Sequence, residues 1–111
     1  MSTPQPSGVQ HVVLMKFPEP LTPEDDARLR EMVASWPERI GTMSECRLGQ
    51  DLTGARSQAF QYLLLTVFPE LDALASYTAH PVHQELVRFL EDRRCERLAF
   101  DYLLDESTDF A

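Results

Sequence analysis

The acid–base chemistry legible in this chain sits on three histidines and the tyrosines near them. Two of those histidines fall in one short segment, Tyr77-Thr78-Ala79-His80-Pro81-Val82-His83. The third, His11, stands mid-run among apolar residues. An imidazole titrates near neutrality and can serve as acid or base. A tyrosine hydroxyl can donate to a developing oxyanion. Together they supply what an aldol closure needs: a base for an acidic C–H and a donor for the oxygen. Tyr77 and His80 are spaced to share one face at a helix end. Pro81 redirects the chain, so His83 can turn back toward the same space.

Each candidate also has a structural reading. His83 suits bridging two helices. Tyr77 suits a core position with its hydroxyl at the edge. His80, before a proline, suits satisfying backbone groups freed at a helix break. His11 either lines a cavity or is a satisfied core histidine, because an unpaired polar group there is costly. Tyr62 shares a strand face with Phe60 and Leu64 and reads as a cavity wall.

Other chemistries find little support. His80, His83 and the nearby Glu85 lack a recognised metal-ligand spacing, so no metal is expected. The 4 glycines are well separated, which leaves no phosphate-cradling loop, and no nucleophile elbow is present. No nicotinamide, flavin or other cofactor is expected. Cys46 and Cys95 stand alone and read as reduced, buried thiols. A net charge of −8 argues against nucleic acid and against an anionic membrane surface. No apolar run approaches the length of a membrane span.

The elements that must position these residues follow from pattern. Val9–Phe17 reads as a strand, apolar on both faces. Thr22-Pro23-Glu24-Asp25 opens a helix, with Thr22 as N-cap and acids at the positive end of the dipole. That helix runs to Pro37, and Glu24, Asp25 and Asp26 read as a solvated start. Thr42–Leu48 is a second strand, and residues 49–58 are a polar turn region. Ala59–Phe68 is a third strand, again apolar on both faces. A helix over Glu70–Ala79 turns Leu71, Leu74, Ala75 and Thr78 inward. His80-Pro81 breaks it, and another helix runs to about Arg93 with Val82, Leu86, Phe89 and Leu90 inward. Glu96–Leu104 is the last strand.

The order is β-α-β-β-α-β, an α+β ferredoxin-like arrangement. Its helices cover one sheet face only. Strands apolar on both faces therefore predict a homodimer in which two sheets pack face to face and enclose a shared interior. The sequence divides into a disordered lead-in (1–8), one domain (9–104) and an acidic tail (105–111). Residues 1–8 lack the charged start and apolar core of a secretory signal, so a cytoplasmic location is expected.

The segments His11-Val-Val-Leu-Met-Lys-Phe, Arg56 with Phe68, and Leu74-Ala-Ser-Tyr77-Thr-Ala-His80-Pro81-Val-His83 resemble the stress-responsive A/B barrel family. The resemblance spans about Gln10 to Leu104 and implies a dimeric α+β barrel. One enzyme of that family closes a linear polyketide thioester by intramolecular aldol condensation without a cofactor. By resemblance, its catalytic tyrosine and histidine fall on Tyr77 and His83, and a cavity histidine falls on His11. A further cavity histidine falls on Tyr62, a departure, and the usual Gly-Tyr-Asp reads Ala59-Phe60-Gln61. The expected function is a cofactor-independent acid–base enzyme on an apolar, polyketide-like carbonyl compound. Tyr77 and His83 would be catalytic, with His11, Tyr62 and His80 binding substrate. The rival is a non-catalytic stress-response barrel that holds a small apolar ligand.

Overall fold

A computed structural model describes residues 8–107. Strand β1 (Val9–Lys16) is flanked by β3 (Tyr62–Phe68) and β4 (Glu96–Leu103), with β2 (Glu45–Gln50) outside β3. All neighbouring strands are antiparallel. Helices α1 (Pro23–Ala34) and α2 (Trp36–Arg39) link β1 to β2, and α3 (Leu71–Ala79) and α4 (Pro81–Asp92) link β3 to β4. This is the expected ferredoxin-like fold. The predicted lead-in (apart from Gly8) and the end of the tail lie outside the described residues. The tail's first residues join a turn of 3-10 helix, Leu104–Glu106, whose Leu104 N–H donates to the Gly8 carbonyl at 2.8 Å.

Several boundaries moved for identifiable reasons. Thr22 caps α1 as expected, its hydroxyl accepting from the Asp25 N–H at 3.1 Å. The helix stops at Ala34 rather than Pro37, and the Ser35 hydroxyl donates to the Met32 carbonyl at 2.7 Å. Pro37 instead sits in the first turn of α2, where its missing N–H costs nothing. Strand β2 lies later than expected, at Glu45–Gln50. Strand β3 starts at Tyr62 rather than Ala59, because Gln58 and Ala59 take positive φ of 52° and 69°, which extended chain does not tolerate. The Gln61 side chain then pairs with the Phe17 backbone, accepting from its N–H at 2.7 Å and donating to its carbonyl at 3.0 Å.

One sheet face is covered. Val9, His11, Val13 and Met15 of β1 share it with Tyr62, Leu64, Thr66 and Phe68 of β3. Leu29 and Val33 of α1, Trp36 of α2, Tyr77 of α3 and Leu86, Phe89 and Leu90 of α4 complete this core. Helix α3 presents Ala73, Leu74 and Tyr77 inward, and Leu71 is left exposed. The bulky Tyr77 ring sets the buried side, which corrects the predicted inward set. The acids of α1 are not simply solvated either. Asp25 pairs bidentately with Arg93 at 2.8 and 3.0 Å. Asp26 accepts from the Tyr62 hydroxyl at 2.6 Å and from Arg30 at 2.9 Å. Two adjacent acids thus tie α1 to the end of α4 and to β3.

Among the described residues, the other sheet face has no helix over it. Val12, Leu14, Leu63, Leu65, Leu98 and Phe100 line it, with Leu98 and Phe100 55% and 65% exposed. Among the described residues no helix is long and apolar enough to cross a membrane.

Leu29 is fully buried between α1 and the sheet. Leu29→Ala removes that contact and leaves a cavity, an expected loss of about 3 kcal/mol. Urea denaturation followed by circular dichroism measures it.

Candidate active site

The chain corner between α3 and α4 builds one wall of the site. His80 is extended at φ −66° and ψ 135°, and Pro81 opens α4. The His80 Nδ1 accepts from the Val82 N–H at 3.1 Å, satisfying one of the free donors at the helix start. Tyr77 lies in the last turn before this corner and His83 in the first turn after it. The corner folds them together, with ring centroids 4.3 Å apart.

The sheet supplies the opposite wall. The His11 ring meets Tyr77 edge-on at 5.9 Å. Its direct cross-strand neighbour on β4 is Asp101, which hydrogen-bonds the His11 Nδ1. A carboxylate there accepts, so Nδ1 carries a proton and points at Asp101. His83 is fixed in the same way: its Nδ1 lies 3.1 Å from the Thr78 carbonyl, which can only accept. His83 therefore offers Nε2 as its basic nitrogen.

Burial divides the roles. It pushes the His83 pKa below the ordinary 6.5, against the Thr78 hydrogen bond and with help from the charges of His11, Arg97 and His80. His83 is thus neutral and basic at pH 7. Burial also pushes the Tyr77 hydroxyl well above 10.0, so it remains a proton-bearing donor. That hydroxyl, Trp36 Nε1 and Thr66 Oγ1 are buried with no hydrogen-bond partner. The Trp36 ring lies 5.5 Å from Tyr77, and Thr66 is the cross-strand neighbour of His11. An unpaired buried group costs about 1–3 kcal/mol, which makes these donors natural receivers for a ligand oxygen.

Of the residues singled out by sequence, the structure brings together His11, Tyr77 and His83. Tyr62 stands apart. It pairs with Met15, about 13 Å along β1 from His11. Its hydroxyl is committed to Asp26, and burial with that contact pushes its pKa up to about 12. Tyr62 borders a separate cleft of about 660 Å³ with Leu14, Phe60, Leu63 and Leu98. The His80 ring serves the α4 backbone. The cluster also lies between sheet and helices of one chain, not in an interior shared by two sheets. Apolar residues on both strand faces concealed which face held the polar group.

Sequence reasoning missed Asp101. Its signal was an acid in the middle of an otherwise apolar strand, Leu98-Ala99-Phe100-Asp101-Tyr102, as His11 is in β1. Arg97, Ala99 and Asp101 share the helix-facing side of β4 and are exposed, so this edge of the sheet beside His11 is open to solvent. Among the described residues no three His, Cys, Asp or Glu side chains are grouped to hold a metal. Glu85 is engaged by Arg39 at 2.9 and 3.0 Å. Cys46 and Cys95 are free and half-buried.

The depressed His83 pKa makes a stability prediction. The unfolded chain binds this proton more readily than the folded one. The stabilisation by neutral His83 is full above 6.5 and is lost as pH falls through its lower folded value. Stability should decline more steeply between about pH 7 and pH 5 in the native chain than in His83→Gln. Urea midpoints across that range measure the difference, and parallel curves would contradict it.

The pattern of the Stress responsive A/B Barrel Domain matches residues 9–104. A stress-response A/B barrel domain-containing protein of Arabidopsis thaliana is 27% identical over 95 residues, covering 85% of this chain and 87% of the relative. Among solved structures, a hydroxynitrile lyase from Passiflora edulis superposes with a TM-score of 0.79 at 18% identity, covering 94% of this chain and 99% of that one. A dimeric ferredoxin-like protein from Thermobifida fusca superposes at 0.76 and 19% identity, covering 88% and 92%. With its domain matched almost end to end, the chain belongs to the stress-responsive A/B barrel family.

Proposed function

We propose that this protein is a cofactor-independent acid–base enzyme that acts on an apolar carbonyl compound through aldol-type carbon–carbon chemistry. One observation carries the reading: His83, fixed with Nε2 free, and His11, held by Asp101, flank a buried tyrosine hydroxyl that has no partner. In the forward sense, His83 Nε2 removes a proton from the carbon beside a carbonyl. Tyr77 donates a hydrogen bond to that carbonyl oxygen as it becomes an enolate oxygen. The enolate carbon attacks a second carbonyl of the same molecule, and the new alkoxide takes the proton back from the His83 imidazolium. His11, oriented by Asp101, lines the other side of the reacting group. Trp36 and Phe68 pack behind Tyr77, and cyclisation is the reaction a flexible polyketide-like chain would undergo here. The fold accommodates lyase chemistry, since the Passiflora edulis hydroxynitrile lyase is built on it.

The first test follows the initial proton transfer alone. The protein should accelerate deuterium exchange at the central carbon of acetylacetone. His83→Ala should lower that rate by about 10²-fold or more, and Tyr77→Phe should lower it by about 10-fold or more. Exchange no faster than in buffer, or unchanged by His83→Ala, would reject catalysis in favour of ligand binding.

We infer further that the open sheet face pairs with a second copy of the chain. Its exposed Leu63, Leu98 and Phe100 form an apolar surface of the kind that marks an interface. Proteins of this fold from Bacteroides fragilis and Thermobifida fusca are dimeric, which supports the reading. Phe100→Glu should convert the dimer to a monomer in sedimentation velocity. A monomeric native chain, or a variant that still dimerises, would refute it.

A further inference from the structure

We propose that Arg97 sets the specificity of this site by binding an anionic group, a carboxylate, carried by the substrate at the end remote from its reacting carbon. The inference rests on the acid–base reading above and adds a substrate class to it. The helix-facing stripe of β4 reads Arg97, Ala99, Asp101, opposite Met15, Val13 and His11 of β1. All three β4 residues are exposed, so a ligand can lie along the stripe. Ala99 leaves a shallow floor between two long polar side chains. The ends of the stripe are about 13 Å apart at the backbone, room for a small elongated molecule.

The charges along it differ in sign and in availability. Asp101 is engaged with His11. Arg30, Arg39, Arg47 and Arg93 lie within 4.0 Å of Asp26, Glu85, Glu45 and Asp25. Arg97, like Arg28, Arg56, Arg88 and Arg94, has no carboxylate within 4.0 Å among the described residues, and of these it is the one on the stripe. Its charge also reaches the site, where it helps to disfavour protonated His83. A guanidinium pairs bidentately with a carboxylate, whereas Asp101 repels one. The stripe therefore orients a ligand in one direction: anion over Arg97, neutral carbonyl beside His11, Tyr77 and His83. Neutralising Arg97 also relieves the repulsion on protonated His83, so a bound carboxylate strengthens the base.

Two probes of matched shape test this, 3-phenylpropionate and the neutral 3-phenylpropionamide. Trp36, the chain's single tryptophan, reports binding through its fluorescence because it packs against Tyr77 and His83. The carboxylate should bind at least about 10-fold tighter than the amide, and should raise the His83 pKa in an NMR titration. Arg97→Leu should abolish the preference and the pKa response, while Arg97→Lys should keep part of both. Equal affinities in the native chain, no saturable binding of either probe, or a preference that survives Arg97→Leu would overturn the proposal. The two readings fail separately. Without acetylacetone exchange but with an Arg97-dependent preference, anion recognition stands and catalysis falls. With exchange but no preference, the reverse holds.

Discussion

The buried ring of Tyr77 is the constraint on which the domain depends. Four other elements meet on it: β1 through His11, α2 through Trp36, β3 through Phe68 and α4 through His83. Burying a ring of this size contributes about 2–3 kcal/mol. Leaving its hydroxyl unpaired costs a comparable amount, about 1–3 kcal/mol. A phenylalanine would give the packing without the cost. The hydroxyl therefore adds little to the fold, and its placement makes sense as a site feature supported by packing around it.

The His80-Pro81 corner makes that site geometrically possible. In one continuous helix, residues 77 and 83 would lie about 9 Å apart along the axis and roughly 120° apart around it. Their rings could not meet at 4.3 Å. Pro81 has no N–H to lose at the first helical position, and His80 supplies the acceptor that the Val82 N–H needs. His80, read from the sequence as substrate-binding or as satisfying backbone groups at the helix break, does the latter. The same corner leaves the Thr78 carbonyl free to accept from His83 and from Gln84, which fixes the His83 tautomer.

Much of this was legible in the sequence because it is local. The Thr22 cap, the Pro81 helix start and the apolar spacing of α4 each depend on residues a turn apart. So does the juxtaposition of Tyr77 with His83 across a proline. What was not legible depends on register between distant segments. Asp101 becomes the partner of His11 only because β4 pairs with β1 in one particular alignment, 90 positions away. Tyr62 and His11 both point to the covered face, and only the β1–β3 register shows them to be four positions apart along it. The acids of α1 looked solvated because their partners, Arg93 and Tyr62, are remote in sequence.

The sidedness of β4 has a consequence for how the molecule can evolve. Alternate residues of this strand serve different purposes. Arg97, Ala99 and Asp101 face the site, while Leu98, Phe100 and Tyr102 face the open side of the sheet. Side chains on one face do not touch those on the other. Changes at the first set can alter the charge around His83 while the open face stays intact. Changes at the second can alter association without adding or removing a group at the site. The two faces remain coupled only through the position of the strand itself, because whatever packs on Leu98 and Phe100 also bears on how firmly Asp101 is held against His11. An edge strand with a period of two provides this separation.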